Sequence, residues 1–216
     1  MDSNETRIAR LDTATISDAL DRLGIFGQCH GTLPQSSTKP VFGRAFTVRY
    51  GPAAKPAGTV GDYIDDVPRG AVVVLDNSGR EDATVWGDIL TEVAHRNGVA
   101  GTLIHGICRD IALARQLDYP IFSRGHWMRT GKDRVQVEAL AVAVNVGSAR
   151  IMQDDLLKGD SDGVVVIPKM HEDQVIQLAE QIAAAEETIR AAVRSGSRLD
   201  EARRQVGYHS LQTRDR

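Results

Sequence analysis

Residues 87–110, GDILTEVAHRNGVAGTLIHGICRD, contain the pattern that decides the fold. Apolar residues recur at helical spacing in the first half of this stretch: Ile89, Leu90, Val93 and Ala94. Asn97-Gly98 is a typical helix end, and residues 99–105 are an apolar run of strand length. A helix followed directly by a buried strand is the repeating unit of an open α/β sheet. We therefore expect a helix over 88–97 and a strand over 99–105 in an α/β protein.

The same alternation of strands and helices continues on both sides of this stretch. Further strands are predicted over residues 41–50, 71–75, 120–123, 135–137, 139–146 and 163–168. Short helices are predicted over residues 16–23 and 110–117, with Thr15 as the cap of the first and Gly24 as its end. With no internal repeat or linker, these elements indicate one domain over residues 1–216.

The last predicted element is a long helix from about residue 172 to residue 195. Its apolar residues form one stripe: Val175, Leu178, Ile182, Ala185, Ile189 and Val193. A helix of about 24 residues is about 36 Å long, which exceeds what a domain of this size needs. We therefore expect the helix to extend from the domain and pack on a neighbouring subunit.

The composition excludes several classes of protein. The net charge of −3 over 216 residues, with no basic run, gives no reason to expect a nucleic-acid partner. The two cysteines, Cys29 and Cys108, lie far apart and indicate neither a disulfide framework nor a zinc site. The polar N-terminus is no signal peptide, and no apolar run reaches the roughly 18 residues of a membrane span. We expect a cytoplasmic protein that contacts no membrane.

Gly87-Asp88 and Arg109-Asp110 lie where an open α/β unit places its functional groups, at strand ends and helix starts. Gly87 lets the backbone approach a ligand, and the first amides of the following helix lack intrahelical partners. Such a helix start binds carboxylates or phosphates, and Arg109 can hold the same anion through two parallel hydrogen bonds. An Arg-Asp pair at a strand end is also common as a surface ion pair, and Asp88 as a helix cap, so both alternatives stay open.

The spacing Asp88, twenty residues, Arg109-Asp110 resembles the signature of a family with two kinds of member. One kind is the class II 4-hydroxy-4-methyl-2-oxoglutarate aldolases, and the other is the RraA proteins, regulators of ribonuclease E activity. Four more segments resemble the same family: LDTATISDALDRLG, FGRAFTV, YPIFSRG and GDSDGVVVIP. Together they span most of the chain. The resemblance implies a β/β/α, swivelling-domain-like fold, assembled as a homotrimer or a pair of trimers.

The resemblance also implies roles for the site residues. Asp110 would hold a divalent cation, Mg²⁺ or Mn²⁺, largely through water. Arg109 and the backbone amides of the helix start, at Gly87, Asp88, Ile89 and Leu90, would bind the carboxylate of a small 2-oxo acid. The metal would stabilise the pyruvate enolate left by bond cleavage, and Asp88 would handle a water that exchanges protons. Oxaloacetate decarboxylation passes through the same enolate and is expected as a companion activity.

The long C-terminal helix favours the aldolase branch, because RraA proteins end near the GVVVIP-type strand. In aldolase-like members this helix carries an acidic residue to a neighbour's active site, and EETIRAAVRSG resembles that region. Glu186 is the candidate for this catalytic carboxylate, with Glu187 as the alternative. For either residue, a solvated glutamate on an exposed face is the competing interpretation.

Two positions depart from the family pattern. His105 stands where relatives often have Asp, and it either tunes substrate choice or is a satisfied, buried histidine. Leu113 stands where many aldolases have an acidic residue. The leading hypothesis is a metal-dependent aldolase or decarboxylase of 4-hydroxy-2-oxo or 4-carboxy-2-oxo acids. The rivals are a non-enzymatic RraA-type protein that binds ribonuclease E, and a metal-dependent lyase or hydrolase for an unrelated oxo acid.

Overall fold

The computed structural model describes residues 3–208. It is built around one mixed β-sheet. The sheet contains β1 (Leu33–Pro34), β2 (Val41–Pro52), β3 (Val72–Asp76), β4 (Gly101–Cys108), β5 (Ile121–His126), β6 (Val135–Leu140), β9 (Leu156–Asp160) and β10 (Gly163–Ile167). The strands β7 (Val144–Val146) and β8 (Ala149–Ile151) form a separate hairpin. The helices are α1 (Asn4–Ile8), α2 (Thr13–Leu23), α3 (Asp88–Asn97), α4 (Ile111–Gln116), α5 (Glu172–Arg194) and α6 (Leu199–Gln205), with short 3₁₀ helices at Asp62–Asp66 and Lys169–His171.

The strand order is β1-β5-β4-β3-β2-β9-β10, and β6 pairs with the end of β2. The four central strands β2, β3, β4 and β5 are mutually parallel. Parallel strands end at the same edge of a sheet, so the segments that follow β3 and β4 meet there. Both α3 and α4 begin at this edge, which brings Asp88 and Arg109 together as the sequence pattern predicts.

Three apolar clusters hold the elements in place. One lies between the central strands and the helices α3 and α4, and it includes Trp86, Leu75 and Ile104. A second lies on the opposite face of the sheet, beneath the β7–β8 hairpin. The third joins α1, α2 and the first half of α5 to β9 and β10. The parallel core is thus covered on both faces, which is what its Val-, Ile- and Leu-rich strands require.

The expected α/β class, with a long C-terminal helix, is confirmed, and so is the helix over residues 88–97. Gly98 ends this helix in the left-handed conformation, at φ 72°. The strand that follows is Gly101–Cys108, two to three residues later than predicted. The predicted boundaries 1–216 of the domain reach beyond the described residues at both ends and stay a prediction. No helix within the described part of the chain has the length and hydropathy that crossing a membrane requires.

Two local predictions are wrong. The cap of α2 is Asp12 rather than Thr15, because the Asp12 carboxylate accepts the Thr15 N–H at 2.7 Å and Thr15 lies inside the helix. Residues 139–146 are not one strand, because Ala141 adopts a positive φ of 54° and donates its N–H to Thr47. The chain therefore turns between β6 and β7. The helices α1 and α6 and the strands β1, β8 and β9 are additions to the prediction.

The first half of α5 packs within its own chain. Val175, Ile176, Ala179 and Ile182 are fully buried against α1, α2 and the β9–β10 pair, and Glu180 pairs with Arg7 of α1 at 2.7 Å. In the second half, Val193 is 43% exposed. The stripe along α5 is therefore largely explained by packing inside the chain, and docking on a neighbouring subunit stays a prediction for its second half.

We expect Ile176→Ala to lower the free energy of unfolding by about 2–4 kcal/mol, because it removes a buried branched side chain from a closely packed cluster. Gln177→Ala, at an exposed position on the same half of the helix, is the matched control and should change it by less than about 0.5 kcal/mol. Urea denaturation followed by circular dichroism measures both. Equal, small effects would contradict the packing of α5 on its own chain.

Candidate active site

A cleft of about 610 Å³ opens beside the start of α3. Its lining comes from four places in the chain: the loop at residues 58–65, the segment at residues 84–90, Arg109, and the turn at residues 130–132. The turn at residues 130–132 is held next to the segment at residues 84–90, because the carbonyl of Arg129, just before the turn, accepts both the N–H and the hydroxyl of Thr84. The predicted residues 87–90 and Arg109 therefore line this cleft, whereas Asp110 lies beside it and Glu186 is not part of its lining. The loop and the turn have no signal in the sequence.

The start of α3 has the character of an anion site. The Asp88 N–H points at Asp110 Oδ2, 3.4 Å away, and the Ile89 N–H donates to Asp88 Oδ1 at 2.8 Å. Carboxylate oxygens thus stand at the first two amides of the helix, where the helix dipole and the free N–H groups favour negative charge. Binding of a substrate at Gly87, Asp88, Ile89 and Leu90 stays a prediction.

Arg109 and Asp110 face the same point from α4. Arg109 Nε lies 3.2 Å from Asp110 Oδ2, and both side chains are a little over one-third exposed. Asp110 has φ 56° and ψ 37°, a left-handed conformation that costs a non-glycine residue about 1 kcal/mol. Its side chain makes no capping bond to α4 and lies against the first amide of α3 instead. The strained backbone therefore aims the carboxylate into the site.

Gly87 leaves space for the side chains of Asp110 and Arg109. A Cβ at this position would lie 2.8 Å from Asp110 Oδ2 and 3.3 Å from Arg109 Nε. The backbone of Gly87 is extended, at φ −146°, so its conformation alone would admit any residue. A side chain at position 87 would therefore displace the Asp110 carboxylate and the Arg109 guanidinium from their present positions.

The residues at the cleft fit a hard divalent cation held mainly by water. No cluster of three or more His, Cys, Asp or Glu side chains suited to a metal occurs among residues 3–208. Asp110 offers a single exposed carboxylate, and Mg²⁺ characteristically binds through one or two carboxylates while keeping several waters. A cation at Asp110 would leave coordination positions for a 2-oxo acid.

His105 is a satisfied, half-buried histidine. Its Nδ1 lies 3.1 Å from Asp76 Oδ1, and Asp76 also accepts the backbone N–H groups of Ser78 and Asn145, each at 2.9 Å. Asp76 and His105 directly follow Leu75 and Ile104, whose side chains pack beneath α3. Because neighbouring residues of a strand point to opposite faces, Asp76 and His105 lie on the face of the sheet away from α3. The structure favours the second of the two interpretations of His105.

Burial alone would raise the pKa of Asp76, but the hydrogen bonds from His105, Asn145 and Ser78 outweigh it and hold the pKa below its usual value. These three donors tie the ends of β3 and β4 to the β7–β8 hairpin. The ionised carboxylate is therefore part of the folded structure.

Glu186 and Glu187 lie apart from the cleft of their own chain. Glu186 pairs with Arg190 at 3.3 Å and accepts a hydrogen bond from the Tyr208 hydroxyl at 3.4 Å. Glu187 is more exposed and pairs with both Arg190 and Arg194 at 3.0 Å. The reach of Glu186 into a neighbouring subunit's site stays a prediction.

Sequence reasoning missed Trp86 and Thr91, which lie directly beneath the site. The Trp86 indole N–H donates to Thr91 Oγ1 at 2.9 Å, and the Thr91 hydroxyl donates to Gly87 O at 2.9 Å. The Trp86 carbonyl accepts the Arg109 N–H, also at 2.9 Å. The only trace in the sequence is a threonine four residues after Gly87, a spacing that many helices contain by chance.

Comparison with known proteins adds a family and several relatives. The family model described as RraA-like, Aldolase/RraA, matches residues 13–166. The chain is 38% identical to Protein DlpA of Legionella pneumophila over 94% of its own length, but it spans only 33% of that relative. It is 32% identical to a protein of Halalkalibacterium halodurans named "Putative 4-hydroxy-4-methyl-2-oxoglutarate aldolase", over 87% of each chain.

Solved structures share the fold. An uncharacterized protein from Pseudomonas syringae is 42% identical and superposes with a TM-score of 0.87, covering 93% of this chain and 96% of its own. Streptomyces coelicolor RraAS2, described as an unusual member of the RNase ES inhibitor RraA protein family, is 26% identical with a TM-score of 0.80, covering 87% of this chain and 95% of its own. These likenesses confirm the fold expected from the sequence segments.

We expect Asp76→Asn to lower the free energy of unfolding at pH 7 by about 1–3 kcal/mol, because an amide cannot accept from all three donors. The stabilisation from a lowered pKa is present above the unfolded-state value of about 3.9 and is lost as the pH falls through the folded-state value. Wild-type stability should therefore drop below about pH 4, and the drop should be smaller in the variant. Asp66→Asn, at an exposed position, is the control in urea titrations over this range, and identical acid limbs would contradict the role of Asp76.

Proposed function

Because the chain belongs to the RraA-like family, we propose that it is a divalent-metal-dependent lyase that cleaves a carbon–carbon bond of a 4-hydroxy-2-oxo or 4-carboxy-2-oxo acid and releases pyruvate. The observation that carries the proposal is the convergence of the α3 amides, Arg109 and the Asp110 carboxylate at the start of α3, beside the cleft that the amides and Arg109 line. The relative named for 4-hydroxy-4-methyl-2-oxoglutarate aldolase supports the same chemistry.

Binding of the substrate carboxylate follows from the groups at the start of α3. The amides that face Asp110 and Asp88 in this structure would donate to the carboxylate of the 2-oxo acid instead. The Arg109 guanidinium, which already lies beside Asp110, would add charge-assisted hydrogen bonds to the same group. Both donors are fixed by the sheet edge, so the acid would bind in one orientation.

Asp110 is the residue that would hold a divalent cation, Mg²⁺ or Mn²⁺. When bound, the cation would supply Lewis-acid stabilisation of the negative charge that develops on the 2-oxo group as the bond breaks. The exposed Asp110 carboxylate can move from the Asp88 amide to such a cation without breaking any buried contact.

Asp88 would handle the proton transfers. In this structure its Oδ1 accepts the Ile89 N–H at 2.8 Å. When the substrate carboxylate takes that amide, the Asp88 carboxylate would be free to orient a water at the mouth of the cleft. For a 4-hydroxy substrate, a water oriented by Asp88 would accept the hydroxyl proton as the C3–C4 bond breaks and its electron pair moves to C3. The same water would return a proton to C3 of the pyruvate enolate. With oxaloacetate, the C3–C4 bond releases CO₂ and only the second transfer is needed.

The test is pyruvate formation from oxaloacetate and from 4-hydroxy-4-methyl-2-oxoglutarate, coupled to lactate dehydrogenase, with Mg²⁺ or Mn²⁺. We expect activity that EDTA abolishes, and a fall of at least about 100-fold in kcat/KM for Arg109→Ala, since a paired charge on the substrate is lost. Arg150→Ala, at the exposed middle position of β8, should retain full activity.

Pyruvate at no more than the metal-only blank would exclude the lyase. The second candidate is then a regulator of the RraA type, which the likeness to RraAS2 favours. It would bind ribonuclease E without turning over a 2-oxo acid, and Arg109→Ala would leave that binding unchanged.

Glu186 would complete the site from a neighbouring subunit in a homotrimer or a pair of trimers. We expect Glu186→Gln to lower kcat more than tenfold with little change in stability, because its pairs with Arg190 and Tyr208 are exposed or half-buried. Glu187→Gln is the matched control and should keep kcat within about twofold of wild type. A larger loss for Glu187→Gln than for Glu186→Gln would reverse the assignment.

A further inference from the structure

Trp86 contacts both halves of the candidate site through different atoms. Its carbonyl accepts the Arg109 N–H at 2.9 Å, and its indole N–H donates to Thr91 Oγ1 at 2.9 Å. Thr91 in turn holds Gly87 O, the carbonyl at the start of α3. One buried residue therefore contacts Arg109 through its backbone and the start of α3 through its side chain.

The direction of each hydrogen bond in this chain is fixed by chemistry. An indole nitrogen can only donate, so Thr91 Oγ1 must accept from Trp86. The single hydroxyl proton of Thr91 is then left for Gly87 O. The Gly87 carbonyl also accepts the Thr91 N–H at 3.1 Å, so two bonds from one residue hold it. Trp86 is 2% exposed and Thr91 is 1% exposed, which keeps water from replacing either donor.

Holding the Gly87 carbonyl fixes the Asp88 amide. In a planar trans peptide the C=O and the following N–H point in opposite directions. With Gly87 O directed at Thr91, the Asp88 N–H is directed the other way, toward Asp110 Oδ2. A rotated peptide plane would turn this N–H out of the cleft. The Thr91 hydroxyl therefore adds a second bond to the helical one that keeps the first amide of α3 directed at an anion.

Trp86 is itself immobilised by its neighbours. Its ring stacks on Tyr119, with centroids 6.2 Å apart and planes within 3°, and the Tyr119 hydroxyl lies 2.9 Å from Thr102 Oγ1 on β4. Through Tyr119, the indole is thus held against β4, the strand that directly precedes Arg109. The distance between the helix amides and Arg109 is set through this path.

We propose that Thr91 and Trp86 are positioning residues that align the Asp88 amide with Arg109 for one carboxylate. Thr91 does not line the cleft, and Trp86 borders it but directs its carbonyl and indole N–H to protein groups. The inference rests on the proposed function in that the carboxylate belongs to a 2-oxo acid. The predicted consequence is a contribution to affinity for the acid that disappears when the hydroxyl or the indole N–H is removed.

The test is calorimetric titration of the full-length protein with oxalate, a stable mimic of the pyruvate enolate, in the presence of Mg²⁺. Thr91→Val keeps the shape of the side chain and removes the hydroxyl, and Trp86→Phe keeps an aromatic ring and removes the N–H. Each should raise the Kd for oxalate about tenfold, the loss expected from one misdirected charge-assisted hydrogen bond. Thr91→Ser retains the hydroxyl and should bind within about twofold of wild type.

Thr47→Val is the matched control, since Thr47 is also fully buried and its hydroxyl donates to Val142 O. It lies on β2, away from the cleft, and should leave the Kd unchanged while lowering stability as Thr91→Val does. In the wild-type protein the Trp86 indole N–H should also give an NMR resonance that moves in Thr91→Val and not in Thr47→Val.

An unchanged Kd in either Thr91→Val or Trp86→Phe would overturn the proposal, and Trp86→Phe decides alone if Thr91→Val does not fold. If wild type binds oxalate but forms no pyruvate, the lyase fails while the positioning role is still measured. If wild type does not bind oxalate, both proposals fail.

Discussion

The approach of the Asp110 carboxylate to the backbone at Gly87 is the contact on which the site depends. It requires a residue without a side chain at position 87 and a left-handed backbone at position 110. Only the second feature is unfavourable alone, because Asp110 bears backbone strain, whereas glycine is well tolerated as the cap of a helix. The packed core beneath them compensates, and the result is a helix terminus, a guanidinium and a carboxylate directed at one point.

That contact exists because of strand register. Asp76 of β3 is paired with His105 of β4, and the irregularity between Ile104 and Ile107 lets β4 run on to Cys108. Arg109 thereby lies beside Trp86, and its backbone N–H donates to the Trp86 carbonyl. A slip of one residue in either strand would send the side chains to the opposite face of the sheet. The apolar faces covered by α3 and by the β7–β8 hairpin exclude such a slip, so the packing of the core determines the geometry of the cleft.

What the sequence predicted well is local or carried by a motif. Helix α3 follows from its apolar period and from Gly98, and the meeting of Asp88 with Arg109 follows from the rule that parallel strands end together. The errors have physical causes that local patterns do not contain. Asp12 outcompetes Thr15 as a cap because its carboxylate reaches the Thr15 N–H, and Ala141 turns the chain because its N–H bonds Thr47 of another strand. The Trp86–Thr91–Gly87 chain depends on how an indole packs on Tyr119, which no spacing encodes.

The placement of His105 changes which residues bear on substrate choice. Its departure from the family pattern lies on the sheet face opposite the cleft and is absorbed by Asp76, so it alters the anchoring of the hairpin rather than the groups that meet the acid. In the proposed complex, the carboxylate next to the 2-oxo group would be bound by the α3 amides and Arg109 whatever the rest of the substrate is. If the proposed lyase function holds, discrimination among 2-oxo acids would come from the other walls of the cleft, which are the loop at residues 58–65 and the turn at residues 130–132. The loop contributes Asp62 and the turn contributes Lys132, two opposite charges on different segments, so exchanging these segments between relatives should move specificity while the carboxylate clamp stays intact.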